Sequence, residues 1–180
     1  DTFTQENQAR DQALQRSRGL IRLCAHAIRA THREEWEAAA AKIAQARTEA
    51  EAMTRDLQVF PQLFHAGYTQ DALKEYVEAQ VVHAFIRDGA LPTPTDLAVE
   101  APAYLKGLAE AASEMRRHSL DLMRQNRLER AEQMLADAGN YWQYWPHMFI
   151  FPSLMITTSV LAFQGIADGL RKALDVSENI

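Results

Sequence analysis

Along most of this chain apolar residues recur three and four positions apart, the spacing of helices that bury one face. No alternating apolar and polar run leads into a two-residue Gly turn, so no hairpin is signalled. A first helix is expected from about Gln5 to Ala30. The segment Thr31-His-Arg-Glu34 has the form of a capping box and restarts a helix to about Leu57. Pro61 and Gly67 mark a break. A third long helix, from about Thr69 to Asp88, is apolar nearly all round through Leu73, Tyr76, Val77, Val81, Val82, Phe85 and Ile86, the pattern of a buried helix. A Pro-rich connection at Leu91-Pro-Thr-Pro-Thr95 leads to a helix from about Ala103 to Gln125. Asn126 with Glu129 repeats the capping-box form and opens a helix from Arg127 to about Ala138, which Gly139 ends. Tyr141-Trp-Gln-Tyr-Trp-Pro146 forms an aromatic connection, and a last helix covers about Pro152 to Val176. The expected fold is an all-α bundle of six or seven helices with a long N-terminal helix, forming one domain over residues 1–180.

Composition agrees with the pattern. Gly and Pro number only 7 and 6 in 180 residues, too few for a loop-rich or strand-rich chain. A single cysteine, Cys24, excludes a disulfide framework and a cysteine-rich zinc site; it falls on the apolar side of its helix, where a buried, inert thiol is expected. No secretory signal is visible. The least polar run, Met148 to Phe163, is short for a membrane span and contains Pro152, Thr157, Thr158 and Ser159, so a cytoplasmic protein without a membrane partner is expected.

Candidate chemistry lies first in four carboxylates. Glu75 and Glu78 project from one side of the apolar third helix, and Glu110 and Glu114 from one side of the next. Acids on a buried helix are costly unless their charge is compensated. If the two helices are neighbours, three or four carboxylates converge into the oxygen-rich environment that Mg²⁺ or Mn²⁺ prefers. Taken alone, the second pair is more often a solvated helix surface than a metal site.

The net charge of −5 argues against a polyanionic partner, but its distribution argues for one. Fifteen of the 19 basic residues are Arg. At about 100° per residue, Arg18, Arg22, Arg29 and Arg33 fall in a narrow sector that holds no acid between Arg18 and Arg33, opposite Leu20, Cys24, Ala27 and Ile28. Such a stripe suits the phosphates of a nucleic acid, though a solvated helix face is the plain alternative. His65 and Arg117 are further candidate phosphate contacts. No Gly-rich phosphate loop, dinucleotide fingerprint or helical di-iron pattern is present.

Four blocks of the sequence resemble the translin/TRAX family, most closely its TRAX-like prokaryotic branch. They are Ser17-Arg-Gly-Leu-Ile-Arg22 with Ala27-Ile-Arg-Ala-Thr-His-Arg33, the acid-bearing Ala72-Leu-Lys-Glu-Tyr-Val-Glu-Ala79, Leu91-Pro92 leading to Tyr104-Leu-Lys-Gly-Leu-Ala-Glu110 and Glu114-Met-Arg-Arg117, and Leu128-Glu-Arg-Ala-Glu132. The resemblance implies a translin-like subunit of a closed, hollow homo-oligomer, a hexamer or octamer, that binds single-stranded RNA or DNA. For TRAX-like members it implies a Mg²⁺-dependent endoribonuclease. Glu75 and Glu78 match the family's paired acids, and Glu110 stands where Asp is usual, one methylene longer. Glu114 matches the next acid. On this reading Glu75, Glu78 and Glu110 are metal ligands, with Glu114 a fourth ligand or the base. The C-terminal segment departs from the pattern: Gly169-Leu-Arg-Lys172 with Asp175 is its nearest match. Two alternatives from other classes are a non-catalytic nucleic-acid-binding shell and an all-α nucleotide pyrophosphatase. The four-residue step from Glu110 to Glu114 counts against the pyrophosphatase.

Overall fold

The computed structural model describes residues 2–87, 89–142, 161 and 164, and among these residues the chain is helical with no strand. Seven helices follow in order: α1 (Thr2–His32), α2 (Trp36–Leu57), α3 (Pro61–Phe64), α4 (Gly67–Ile86), α5 (Pro94–Leu97), α6 (Ala101–Arg124) and α7 (Leu128–Trp142). Two compact units contain them, residues 1–127 and residues 128–180. The expected helix from Pro152 to Val176, the Met148–Phe163 run and the Gly169–Asp175 segment lie outside the described residues, apart from two isolated positions.

Within the first unit α4 is the centre. It packs against α1, α2, α3 and α6, while α1 also packs along α2. Its surround is apolar because its own surface is: Leu73, Tyr76, Val77, Val81, Val82 and Ile86 are all at most 3 % exposed. Burying each such side chain contributes about 1.5–3 kcal/mol, so α4 is held by tertiary packing rather than by helix propensity. Helix α1 turns Ala13, Leu20, Cys24, Ala27 and Ile28 inward, as the 3.6-residue pattern requires. Among the described residues no helix is long and apolar enough to cross a membrane.

Neither of the two expected capping boxes forms. The Thr31 hydroxyl donates to the Ala27 carbonyl and lies 3.1 Å from His83 Nδ1. Glu34 takes a left-handed conformation, φ 59°, so that Glu35 N–H reaches the Ala30 carbonyl and closes α1. Asn126 does the same for α6 at φ 60°, with Arg127 N–H on the Leu122 carbonyl. Both segments are left-handed helix C-terminal closures, and the sequence signature had been assigned to the wrong end of the turn. The capping box that does form is Thr93 with Asp96, which builds α5 inside the Pro-rich connection. Nor does Gly139 end α7, which continues to Trp142 and takes in Tyr141. A single Gly costs a helix only about 1 kcal/mol.

The contact between α4 and α6 depends on Gly107. A Cβ at this position would lie 2.6 Å from the Lys74 carbonyl oxygen and 2.6 Å from Val77 Cβ. Any side chain there pushes the two helices apart. Gly107→Ala is therefore expected to lower stability by about 1–3 kcal/mol, read as a fall in the urea midpoint; an unchanged midpoint would show that the helices do not depend on this close approach.

Candidate metal centre

The same close approach assembles the acids. Glu110 lies one turn beyond Gly107 on α6, and Glu75 and Glu78 lie on either side of Val77 on α4. Each of the three offers a carboxylate oxygen within 4.8 Å of the others, at half-buried positions. Oxygens sharing one small divalent ion at about 2.0–2.6 Å stand up to about 4–5 Å apart, so the donor set fits a hard cation. Three carboxylates on two packed helices could hold a metal ion. Glu114 is not part of this trio. It sits one turn further along α6, with its side chain 13 % exposed, and accepts from Arg117 at 2.6 Å through Oε1. His32 Nε2 lies 3.5 Å from the same oxygen.

The electrostatics mark Glu78 as the strained member. Burial, then the charges of Glu75, Glu110 and Glu114, push its carboxyl up from 4.5 to about 7, against the opposing pull of Lys74. Lys74 donates to Glu110 Oε1 at 2.8 Å and lies 3.2 Å from Glu75 Oε1. Burial works against its ammonium, but those two carboxylates hold it above its ordinary value. Glu114 is also raised, by burial, with Arg117 opposing. Behind the trio, burial and then the charges of Glu75 and Glu78 push the Cys24 thiol up to about 12, so it is buried and protonated.

The basic stripe lies elsewhere. Arg18, Arg22, Arg29 and Arg33 are exposed, on the side of α1 opposite Cys24, whose thiol feels Glu75 and Glu78. Arg33 makes a two-pronged pair with Glu35 at 2.7 and 3.0 Å. Arg18, Arg22 and Arg29 have no acidic partner among the described residues. The stripe faces away from the three carboxylates. His65, at the end of α3, lies 3.8 Å from Glu100 and not at the trio. Arg117 touches the site only through Glu114.

Three residues of the site escaped the sequence reading. Lys74 precedes Glu75, and nothing in the pattern says that its long stem reaches across to α6. His32 stacks on His118 at 4.4 Å, and burial, His118 and Arg117 push it down to about 4, so it is neutral at physiological pH. Gly107 did carry a signal, a glycine inside a helix one turn before a candidate acid.

No family model matches the sequence. The chain is 25 % identical over 176 residues to an uncharacterized protein of Methanocaldococcus jannaschii, MJ0175, covering 97 % of this chain and 72 % of that one. Among solved structures it is similar to the crystal structure of apo-NeC3PO, with a TM-score of 0.74 over 82 % of this chain and 78 % of the other. The fold is translin-like. At 20 % identity the likeness establishes the architecture and leaves the chemistry to the residues.

The raised carboxyl of Glu78 yields a pH prediction. Folding favours its protonated form, so between pH 4.5 and about 7 the folded chain binds more protons than the unfolded one. This group's contribution to stability falls as pH rises through that window and stays low above it. Glu78→Gln keeps the shape without the charge. Its melting temperature in EDTA should match wild type near pH 4.5, exceed it increasingly up to about pH 7 and keep a constant lead above that. A gap independent of pH would contradict the assignment.

Proposed function

We propose that this chain is the subunit of a metal-dependent endoribonuclease acting on single-stranded RNA within a closed homo-oligomer, a hexamer or octamer. The observation that carries the reading is the convergence of Glu75, Glu78 and Glu110 across the α4–α6 contact. A soluble helix pair that needed only stability would not gather three acids and leave one of them with its carboxyl pushed up to about 7. The resemblance of the acid-bearing segments to TRAX-like nucleases supports it, as does the translin-like fold.

On this reading Glu75, Glu78 and Glu110 hold Mg²⁺ or Mn²⁺. Such an ion, when bound, acidifies a water and offsets charge that develops on a phosphoryl group. Glu114 is the base. Its Oε1 is taken by Arg117, with His32 close by, which leaves Oε2 to accept the proton of the attacking water. Its raised proton affinity brings it nearer the range useful at neutral pH. Glu110, longer than the family's usual Asp, keeps the charge and stands within 4.8 Å of Glu75 and Glu78. Arg18, Arg22 and Arg29 form a track for the strand's phosphates away from the reacting bond. Exposed Leu105, Leu120 and Met123 on α6 offer apolar surface for contact between subunits.

Glu78→Ala is expected to abolish Mn²⁺-dependent cleavage of a labelled single-stranded RNA and leave binding in EDTA within about threefold, since the phosphate track is untouched. Equal cleavage by variant and wild type would refute the assignment. RNA that is bound but never cut, with or without EDTA, would instead identify a non-catalytic shell protein. If nucleoside triphosphates are hydrolysed and RNA is not, the pyrophosphatase reading prevails.

The stripe has its own test. Replacing Arg22 and Arg29 together by Ala should weaken RNA binding and flatten the slope of log affinity against log salt by about 1.4, roughly 0.7 for each lost contact with a single strand. An unchanged slope would make the stripe a solvated surface.

A further inference from the structure

Two carboxylates of the trio already share a cation. Lys74 Nζ lies 2.8 Å from Glu110 Oε1 and 3.2 Å from Glu75 Oε1, and its side chain is only 17 % exposed. The position is built into the fold. The Lys74 carbonyl oxygen is one of the atoms packed against Gly107, so the contact that brings the acids together also fixes the base of this stem. The ammonium spans the two helices, pairing with an acid on each. Glu78 is the acid of the trio that it does not pair with.

We infer that Lys74 is an intrinsic competitor for the cation position, neutralising Glu75 and Glu110 in the ion-free protein and yielding them to a divalent ion. The inference rests on the metal reading above and deepens it. The other role open to such a lysine is that of an outer partner, holding each carboxylate by one oxygen while the other faces the ion. Charge decides between them. An ammonium within hydrogen-bond distance of two ligands stands within a few ångströms of any ion they share. Like-charge repulsion in a half-buried site then outweighs the orientation gained. The flexible four-carbon stem lets the ammonium leave. Once displaced, Lys74 lies at the edge of the trio, within reach of the phosphate of a strand lying there. It would supply the local positive charge that the arginine track, on the far side of α1, does not.

The test is isothermal titration of the full-length protein with Mn²⁺ at pH 8, without RNA, comparing wild type, Lys74→Met and Lys74→Arg. Lys74→Met should bind Mn²⁺ tighter by roughly tenfold or more once the competing charge is gone, and Lys74→Arg, which keeps the charge, should not. Ion-free Lys74→Met should also melt below wild type and gain more than wild type from saturating Mn²⁺. Should the Met variant not fold without ion, Lys74→Gln carries the same comparison. Equal or weaker binding by a folded, uncharged variant overturns the competitor role and leaves the metal reading standing. Absence of Mn²⁺ binding in every folded protein overturns both.

Discussion

The α4–α6 contact is the constraint on which the candidate site depends, and a missing Cβ makes it possible. At Gly107 a side chain would have to share space with a backbone carbonyl and with Val77. Because nothing is there, the helices approach closely enough for acids that are 32 to 35 positions apart in the chain (Glu78 and Glu75 to Glu110) to meet. The apolar surround of α4 supplies the complementary half of the constraint. It fixes the helix on its other sides, so the stems of Glu75 and Glu78 keep their place beside α6.

Bringing like charges together is unfavourable, and the structure shows how the cost is distributed. Lys74 bridges two of the acids, and Arg117 engages Glu114. Glu78 is left with the remainder, and burial together with those charges raises its proton affinity. The long-range basic surface is separate: the arginines of α1 face solvent and do not soften the charge at the trio. The arginines and the carboxylates therefore occupy different faces of the same helix pair, α1 and α4.

Much of this was legible from residue spacing. The apolar girdle of α4 foretold its burial, while Lys74, which pairs with two of the acids, carried no such signal. The arginine sector followed from helical geometry alone. Other readings failed for physical reasons. Thr31-to-Glu34 and Asn126-to-Glu129 carry the letters of a capping box, but the same short polar segments also suit a left-handed closure at the end of the preceding helix. A local pattern cannot distinguish the two ends of one turn. Gly139 was read as a stop where the helix simply tolerates it.

What the sequence determined by itself, among the described residues, is the long helices, their buried faces and the residue types that carry charge, because these follow from periodicities of a few residues. Only the tertiary structure decided which charges meet. That Glu110 joins Glu75 and Glu78, that Glu114 stands just outside and that Lys74 reaches across to another helix are outcomes of helix packing at one glycine. The arginines turn away from the acids for the same kind of reason. Contacts between positions far apart in the chain depend on the angle and separation of helices, and no short-range pattern encodes those.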